Sequence, residues 1–303
     1  MRPPLDPILI HITSDFGIHW YGVLLVSGIL LGASYAARQA SQDGEDPDHV
    51  WNGLIITIIL GIIGARLVHV LSEHSGGMLG WSYYRQHPIE ILQIWKGGLA
   101  IYGGVIGGIL GVMIYARRAK LGPLQWLDYG APGLALGQAI GRWGNFINQE
   151  LYGPPTSSSW GLVIDSAHRI TPYNDLTTYP PDTLFHPTFL YESLWCLLLF
   201  ITLAMITRRF KDQLLPGDML LGYIVGYPLG RFFIEYFRPD AWMIGPFTAA
   251  QLVAIVCIVG GVAALAMRHA NAKNKSANPK VGAEPKVEAN HAPPEPESGS
   301  EFA

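Results

Sequence analysis

Long apolar runs recur along this chain, and each is long enough to cross the hydrocarbon core of a bilayer, which takes about 20 mostly apolar helical residues. Seven such runs lie at residues 17–38, 51–72, 97–117, 124–144, 188–208, 216–237 and 247–268. Only 14% of the residues are Asp, Glu, Lys or Arg, whereas a soluble domain has about 25%. The sequence therefore predicts an all-α integral membrane protein with about seven transmembrane helices.

The distribution of basic residues predicts how these helices are oriented, because cytoplasmic loops carry an excess of Lys and Arg. With seven helices, alternate connections lie on the same side of the membrane. One side would hold Arg38, Arg117, Arg118, Lys120, Arg208, Arg209, Lys211, Arg268, Lys273 and Lys275. The other side would hold fewer, namely Arg2, Arg85, Lys96, Arg169 and Arg238. We therefore expect a multi-pass protein with its N-terminus outside and its C-terminus in the cytoplasm.

The domain organisation follows from where the apolar runs end. Residues 1–269 are predicted to form one transmembrane domain, in which 145–187 is an outer loop region rich in proline, serine and tryptophan that forms a small cap. Residues 270–303 are rich in Pro, Glu, Lys and Ala and lack the apolar surface needed for a core. We predict that this segment is a disordered cytoplasmic tail.

Small residues recur in the third apolar run. Gly103, Gly107 and Gly111 are four residues apart. This spacing places them on one face of a helix and predicts close packing against a neighbouring helix.

Several charged residues lie inside or at the ends of the apolar runs. Arg66 stands within "GIIGARLVHV", and Arg142 and Arg231 lie near the ends of later runs. An arginine at the centre of a bilayer costs about 2.5–3.5 kcal/mol on insertion scales. Such residues face a cavity, a partner or a ligand, and three of them together favour a shared polar site.

Helical spacing adds further residues to this site. In "YPLGRFFIEYFR", Tyr227, Arg231, Glu235 and Arg238 are spaced so that they would share one helix face. Arg231 and Glu235 are in position to pair with each other, which would leave Arg238 for an anion. Residues 142, 145 and 149 share a face in the same way.

The residue types in these positions suit a phospholipid headgroup near the outer leaflet. The planar fork of arginine matches two phosphate oxygens, and amides such as that of Asn145 donate to ester and glycerol oxygens. "HWYG" adds His19 and Tyr21 at the start of the first run. "HPTFLYE" adds His186, Tyr191 and Glu192 at the start of the fifth, where Glu192 needs a partner, and Tyr102 is placed level with these groups.

Other functions are less compatible with the sequence. It contains no His, Cys or carboxylate cluster with metal-ligand spacing, so we predict no metal or cofactor, and a net charge of -3 does not favour nucleic-acid binding. The main alternative is a transporter or channel for an anionic solute, although no internal repeat is visible. A second alternative is another lipid-modifying enzyme that uses the same headgroup.

Together, these motifs resemble the bacterial prolipoprotein diacylglyceryl transferase family. "GRWGNFINQELYG" is similar to its signature, and the resemblance covers about residues 5–268. The motifs that follow the family's order are "HWYG", "GAR", "GGLAIYGG", "HPTFLYE" and "GRFFIEYFR".

The resemblance implies a specific reaction in the bacterial plasma (inner) membrane, with the active site facing the outer leaflet. Members transfer the diacylglyceryl group of phosphatidylglycerol to the thiol of the lipobox cysteine in a preprolipoprotein signal peptide, which forms a thioether and releases glycerol-1-phosphate. This is the first step of lipoprotein maturation. The expected partners are therefore phosphatidylglycerol, the signal peptide and membrane lipids, without nucleic acid.

The resemblance also implies the site residues. The expected catalytic residues are Arg142, Arg231, Glu235, Tyr102 and Asn145. The expected substrate-binding residues are Arg142, Tyr21, Arg66, Asn145, Glu150, Gly153, His186, Glu192 and Arg238.

One position departs from the family pattern. Many members have a histidine, often proposed as the base, where this chain has Tyr102. A tyrosine with a pKa of about 10 is a poor base at neutral pH. Either Glu235, His19 or His186 takes the thiol proton, or the arginines lower the thiol pKa directly, and Tyr102 would retain a positioning role.

Overall fold

The computed structural model describes residues 1–4, 6–12, 17–72, 80–239 and 241–277. Residues 1–265 form one compact unit, which contains the site, and residues 266–303 belong to a second unit. The described residues are mostly helical. The helices are α1 (Trp20–Gln42), α2 (Asp48–Leu71), the single-turn α3 (Trp81–Tyr84), α4 (Ile101–Arg118), α5 (Pro123–Ile147), α6 (Thr188–Arg209), α7 (Asp218–Ile234) and α8 (Ala249–Ala277).

Each predicted apolar run corresponds to one long helix of the structure. Four of these helices, α1, α2, α6 and α8 up to Asn274, are long and apolar enough to cross a membrane. Helices α4 and α7 are shorter, with 18 and 17 residues, and α5 has 25 residues but is interrupted by polar and glycine positions. The structure thus shows a mostly helical membrane protein, and the seven spans and their orientation stay predictions.

The C-terminal helix is longer than predicted. Helix α8 continues to Ala277, eight residues beyond the predicted end of the domain at 269. Its last turns, "NAKNKSA", contain alanine and lysine, which favour helix in the absence of packing. The predicted disordered tail therefore begins too early at 270, and its part from 278 to 303 lies outside the described residues.

Glycines allow two pairs of helices to approach closely. A Cβ on Gly32 of α1 would lie 2.5 Å from the carbonyl oxygen of Gly133 on α5. A Cβ on Gly111 of α4 would lie 2.7 Å from Cα of Thr57 on α2, and Gly103 faces Gly64 in the same way. The predicted close packing of the third run is confirmed, with α2 as the neighbour.

Helices α5, α6 and α7 pack together and carry most of the site. Their contact includes a buried apolar cluster of Ala131, Ala135, Leu199, Leu203 and Met219. The ring of Trp195 on α6 covers Gly230 of α7, and its indole N–H donates to the Gly226 carbonyl at 2.9 Å. These contacts fix the rotation of the three helices and therefore the direction of their polar side chains.

Helix α7 ends before Glu235 and Arg238, which were predicted to share a helix face with Arg231. It stops at Ile234 and continues as a 3₁₀ turn, Glu235–Phe237, after which Arg238 has an extended backbone with φ -99° and ψ 104°. Pro239 explains this ending, because the residue before a proline disfavours the helical region. Arg238 therefore does not continue the face of Tyr227 and Arg231.

The connection between α5 and α6, residues 148–187, lies within the segment 145–187 that was predicted as an outer cap, and we call it the cap; α5 itself extends to Ile147. It contains strands β3 (Leu162–Val163) and β4 (Leu184–Phe185), which pair antiparallel, and a 3₁₀ turn at Ser166–His168. Its core is aromatic and aliphatic, and burial raises the pKa of Tyr173 in it. The cluster consists of Tyr152, Leu162, Ile164, Tyr173, Phe185 and Phe189.

A buried arginine holds the cap together. Arg169 is 6% exposed, and its guanidinium donates to the carbonyls of Ile164, Tyr179, Pro180 and Pro181 at 2.7–3.1 Å. Its carbon also lies 5.1 Å from the ring centroid of Phe185. Because these bonds satisfy backbone acceptors of a proline-rich segment, Arg169 acts as a scaffold of the cap.

Short elements complete the unit. Strands β1 (Ile8–His11) and β2 (Gly17–His19) form a hairpin before α1, and β5 (Met243–Ile244) and β6 (Phe247–Thr248) form one before α8. Three further 3₁₀ turns lie at Pro88–Leu92, Ile94–Lys96 and Lys211–Gln213.

Candidate active site

Three helices each contribute one charged side chain to a single contact. Glu192 lies in the second turn of α6, and its side chain is only 7% exposed. One carboxylate oxygen contacts Nε of Arg142 on α5, and the other accepts a hydrogen bond from Nη1 of Arg231 on α7. The structure therefore brings the two arginines together and supplies the partner that Glu192 was expected to need.

A second carboxylate completes this group. Oε2 of Glu235 lies 2.6 Å from Nη2 of Arg231, four residues earlier in the chain. Arg142, Glu192, Arg231 and Glu235 form what we call the ion cluster. Its formal charges cancel, so each buried charge has an opposite partner that offsets its desolvation.

The two signs of charge in the ion cluster differ in exposure. The side chains of Arg142 and Arg231 are 22% and 19% exposed, whereas those of Glu192 and Glu235 are 7% and 6% exposed. The carboxylate side chains are covered, and the arginine side chains form the more accessible part of the cluster. A ligand that reaches this cluster therefore meets cations, which suits an anion.

Arg142 retains hydrogen-bonding capacity. Its Nη1 donates to Oδ1 of Asn145 at 3.5 Å and its Nη2 to the hydroxyl of Tyr227 at 3.4 Å. Both distances exceed the usual range of about 2.7–3.2 Å. Since a guanidinium has five N–H groups in a planar fork, its terminal nitrogens are available for a better acceptor such as a phosphate.

The signature segment folds back on itself after α5. Nδ2 of Asn145 donates to Oε1 of Glu150 at 2.8 Å, and Asn148 donates to the same oxygen at 3.3 Å. Gln149, between Asn148 and Glu150 in the chain, has φ 55°. Its amide oxygen accepts a hydrogen bond from the backbone N–H of Asp165 at 2.8 Å. The amides of the decapeptide thus hold Glu150 and connect α5 to the cap.

Gly153 and His186 meet where the cap joins α6. The N–H of Gly153 donates to the His186 carbonyl at 2.9 Å, and a Cβ on Gly153 would lie 2.8 Å from that of His186 and 3.0 Å from the Phe237 carbonyl oxygen. Nδ1 of His186 lies 3.0 Å from the Tyr191 hydroxyl. Only a glycine fits at 153, and His186 is held by cap and helix contacts.

Tyr21 is placed beside the arginine-bearing end of α5. Its ring covers Gly144, because a Cβ on that glycine would overlap the ring carbons. Gly144 lies between Arg142 and Asn145 in the chain, and Tyr21 itself is 40% exposed. The structure thus brings Tyr21 next to the signature segment.

Arg66 is engaged elsewhere. The residue is 7% exposed, and its guanidinium donates to the carbonyls of Glu90, Ile91, Gly97 and Gly98 at 2.5–2.9 Å. The guanidinium carbon lies 5.2 Å from the Tyr84 ring centroid. Four of its five N–H groups are used in this way. Arg66 therefore acts as a scaffold of segment 90–98, and its expected lipid contact stays a prediction.

The remaining expected residues are not members of the ion cluster. Tyr102 is the second residue of α4 and is 65% exposed, and among the described residues its hydroxyl has no hydrogen bond. Arg238 is half-buried, and its backbone N–H donates to the Glu235 carbonyl at 3.0 Å. His19 is exposed at the start of α1.

Two residues near the cluster were not predicted as site residues. Tyr227 was noted only for its spacing, but it contacts Arg142. Gln138 was not noted, although it lies one helical turn before Arg142 and bonds Tyr223 on α7. The four-residue spacing from Arg142 was the signal in the sequence that pointed to Gln138.

Comparison with known families gives a consistent result. Residues 7–267 match the family described as prolipoprotein diacylglyceryl transferase. This match includes every residue of the ion cluster and of the signature segment.

Individual relatives bear the name phosphatidylglycerol–prolipoprotein diacylglyceryl transferase. A relative from Chloroflexus aggregans is 44% identical over 278 residues, which cover 86% of this chain and 88% of the relative. A relative from Synechococcus elongatus is 42% identical and covers 86% of each chain. A relative from Clostridioides difficile is 38% identical and covers 86% of this chain and 95% of its own.

Proposed function

This chain belongs to the prolipoprotein diacylglyceryl transferase family, and on that basis we propose that it transfers the diacylglyceryl group of phosphatidylglycerol to the thiol of a prolipoprotein cysteine. A C–S bond forms at the glyceryl carbon, and the C–O bond to the phosphate breaks. Glycerol-1-phosphate leaves with the bonding electron pair. Because of this family membership, we prefer the transfer reaction to the alternative of an anion transporter.

The exposure of the ion cluster is the observation that best supports a phosphate site here. The covered carboxylates of Glu192 and Glu235 hold the two guanidinium groups, and the side chains of Arg142 and Arg231 are the more exposed members of the cluster. Arg142 has long contacts through both terminal nitrogens. We propose that these nitrogens bind the phosphate of phosphatidylglycerol in the two-pronged geometry that arginine favours.

The same groups would act on the transition state. Negative charge grows on the bridging phosphate oxygen as the C–O bond breaks. Preorganised donors directed at such an oxygen lower the barrier without rearranging during the reaction. Arg142 and Arg231 would supply these donors, with their orientation fixed by Glu192, while Asn145 and Glu150 would orient the glycerol part.

The thiol proton needs an acceptor. A free cysteine has a pKa of about 8.5, so most of it is protonated at neutral pH. Of Glu235, His19 and His186, only Glu235 lies in the ion cluster, with one carboxylate oxygen on Arg231. We propose that Glu235 receives the proton from the substrate thiol, because it is the candidate that contacts an arginine of the proposed phosphate site.

Other residues would line the lipid and peptide path. Tyr21, Gly153 and His186 would shape its wall between α1, the cap and α6, and Arg238 would approach the phosphate or the glycerol from beyond the 3₁₀ turn. Tyr102 would contribute a positioning surface. For Arg66 we propose an indirect role, through the shape of segment 90–98.

The cellular setting follows from the proposed substrates. We propose that residues 1–269 cross the bacterial inner membrane seven times with the N-terminus outside, and that the site opens to the outer leaflet. There it would meet phosphatidylglycerol and the lipobox of a signal peptide.

A reconstituted assay tests this function. Purified protein is incubated with phosphatidylglycerol labelled in its diacylglyceryl part and a lipobox peptide, and the thioether product is measured by mass. We expect product from the wild type, and nearly none from Arg142→Ala or Arg231→Ala with membrane insertion intact. Wild-type rates from both variants would remove the proposed site, and absence of product from the wild type would remove the function.

A further inference from the structure

A line of polar side chains leads from the ion cluster into the apolar contact between α5, α6 and α7. Gln138 lies four residues before Arg142 and therefore on the same face of α5. Its amide oxygen accepts a hydrogen bond from the Tyr223 hydroxyl at 2.9 Å and lies 3.9 Å from the sulfur of Cys196. One amide oxygen thus joins three helices.

The ring of Tyr223 also contacts the ring of Tyr227, which lies one helical turn further along α7. Their rings stack with centroids 5.7 Å apart and an angle of 6° between the planes. The Tyr227 hydroxyl lies 3.4 Å from Nη2 of Arg142. These contacts connect Gln138 to Arg142 through the two tyrosines, and α5 connects the same two residues directly.

Apolar packing alone does not account for this arrangement. Tyr223 and Tyr227 pack against the apolar cluster that contains Ala135 and Leu199. A hydroxyl and an amide placed there cost free energy unless they bond each other. Apolar side chains would fill the same space without this cost. The hydrogen bond between Gln138 and Tyr223, in contrast, fixes the rotation of the Tyr223 ring.

We propose that Gln138 and Tyr223 are positioning residues of the transfer reaction. Their hydrogen bond fixes the ring of Tyr223, and the stack fixes the ring of Tyr227, whose hydroxyl lies beside Nη2 of Arg142 and limits where that nitrogen can turn. This inference rests on the proposed function. Its consequence is that losing the bond between Gln138 and Tyr223 slows the chemical step, although neither residue touches the substrate.

Steady-state kinetics of Tyr223→Phe, Gln138→Leu and the double variant test the inference. Since a misplacement of about 1 Å at a reacting centre costs up to about 100-fold in rate, we expect kcat to fall about 10-fold in each single variant. KM for phosphatidylglycerol should change less than kcat, because Arg142 stays in place to bind the phosphate and only its alignment with the oxygen that gains charge in the transition state is lost.

The double variant separates positioning from stability. Replacing both partners of a buried hydrogen bond by apolar groups is nearly neutral for stability, whereas removing one partner leaves the other unsatisfied. We therefore expect the double variant to melt close to the wild type and to keep the reduced kcat. A double variant with wild-type kcat would overturn the proposal, as would single variants whose kcat is unchanged.

Asp128→Asn provides a matched control. Asp128 also joins α5 to α7, by accepting from the backbone N–H groups of Gly217 and Leu220, but at the other end of α7. We expect this variant to lower the melting temperature and leave kcat unchanged. If the wild type makes no thioether product, the proposed function fails; if it does and kcat follows melting temperature in all variants, only the positioning inference fails.

Discussion

Arg142 on α5 and Arg231 on α7 share the carboxylate of Glu192, with one oxygen on each guanidinium. The two arginines lie 89 residues apart in the chain, and α6 brings the connecting group between them. This relationship gives the site its geometry, since it holds both cations on one covered carboxylate while their side chains stay partly exposed. Replacing Glu192 should therefore lower both the stability of the fold and the rate of turnover.

Glu192→Gln should nearly abolish product formation and lower stability. The amide cannot balance two guanidinium charges, and breaking a buried ion pair on one side costs about 3–5 kcal/mol. Thioether formation and the melting temperature in detergent are the measurements. Asp182→Asn, which makes the same chemical change at an exposed position of the cap, is the control. Normal turnover by the Glu192 variant would mean that the shared carboxylate does not organise the site.

Tyr102→Phe should keep most of the wild-type activity. The side chain is 65% exposed and its hydroxyl has no hydrogen bond among the described residues, so a positioning role would depend on the ring. The initial rate over a range of pH is the measurement, and we expect a profile of unchanged shape. A loss of more than about 10-fold, equivalent to about 1.4 kcal/mol, would show that the hydroxyl takes part in the chemistry.

Gly144→Ala should impair activity, whereas Gly141→Ala on the same helix should be tolerated. A Cβ at 144 overlaps the ring of Tyr21, and a Cβ at 141 meets no atom within 4 Å. Alanine in place of a helical glycine stabilises by up to about 1 kcal/mol where space allows, so the Gly141 variant should melt at the same or a higher temperature. Equal activity of the two variants would argue against a constrained position of Tyr21.

Arg66→Ala should loosen segment 90–98. The substitution removes hydrogen bonds to four backbone carbonyls and leaves these carbonyls to find other partners. We expect trypsin to cleave after Lys96 at least several-fold faster than in the wild type, as measured by mass spectrometry over time. Arg38→Ala, in α1, is the control for general destabilisation. Unchanged cleavage together with lost phospholipid binding would favour the direct lipid contact first expected for Arg66.

The positions of the helices could be predicted from the sequence, and so could the charged residues that meet in the ion cluster, because both have simple physical causes. Apolar runs of about 20 residues define where helices lie, and charged residues such as Arg142 and Arg231 are costly inside them. The positions at which helices end were predicted less well. Pro239 stops the helical backbone before Arg238, and the alanine- and lysine-containing end of α8 continues beyond residue 269.

The partners of the charged residues could not be predicted, because they depend on how helices are rotated against one another. Glu192 could have faced either arginine or neither, and only the packing of α6 between α5 and α7 directs it to both. Arg66 looked like a third member of the site, but it lies on α2 and turns to the carbonyls of a local segment. Spacing within one helix carries no information on such contacts between helices.

The most direct test of the central claim is a structure of the protein with phosphatidylglycerol bound, determined in a lipid nanodisc. The account predicts phosphate density within hydrogen-bonding distance of the terminal nitrogens of Arg142 and close to Arg231, with Glu192 still bridging the two arginines. A headgroup bound away from both guanidinium groups, in a protein that still forms the thioether product, would contradict it.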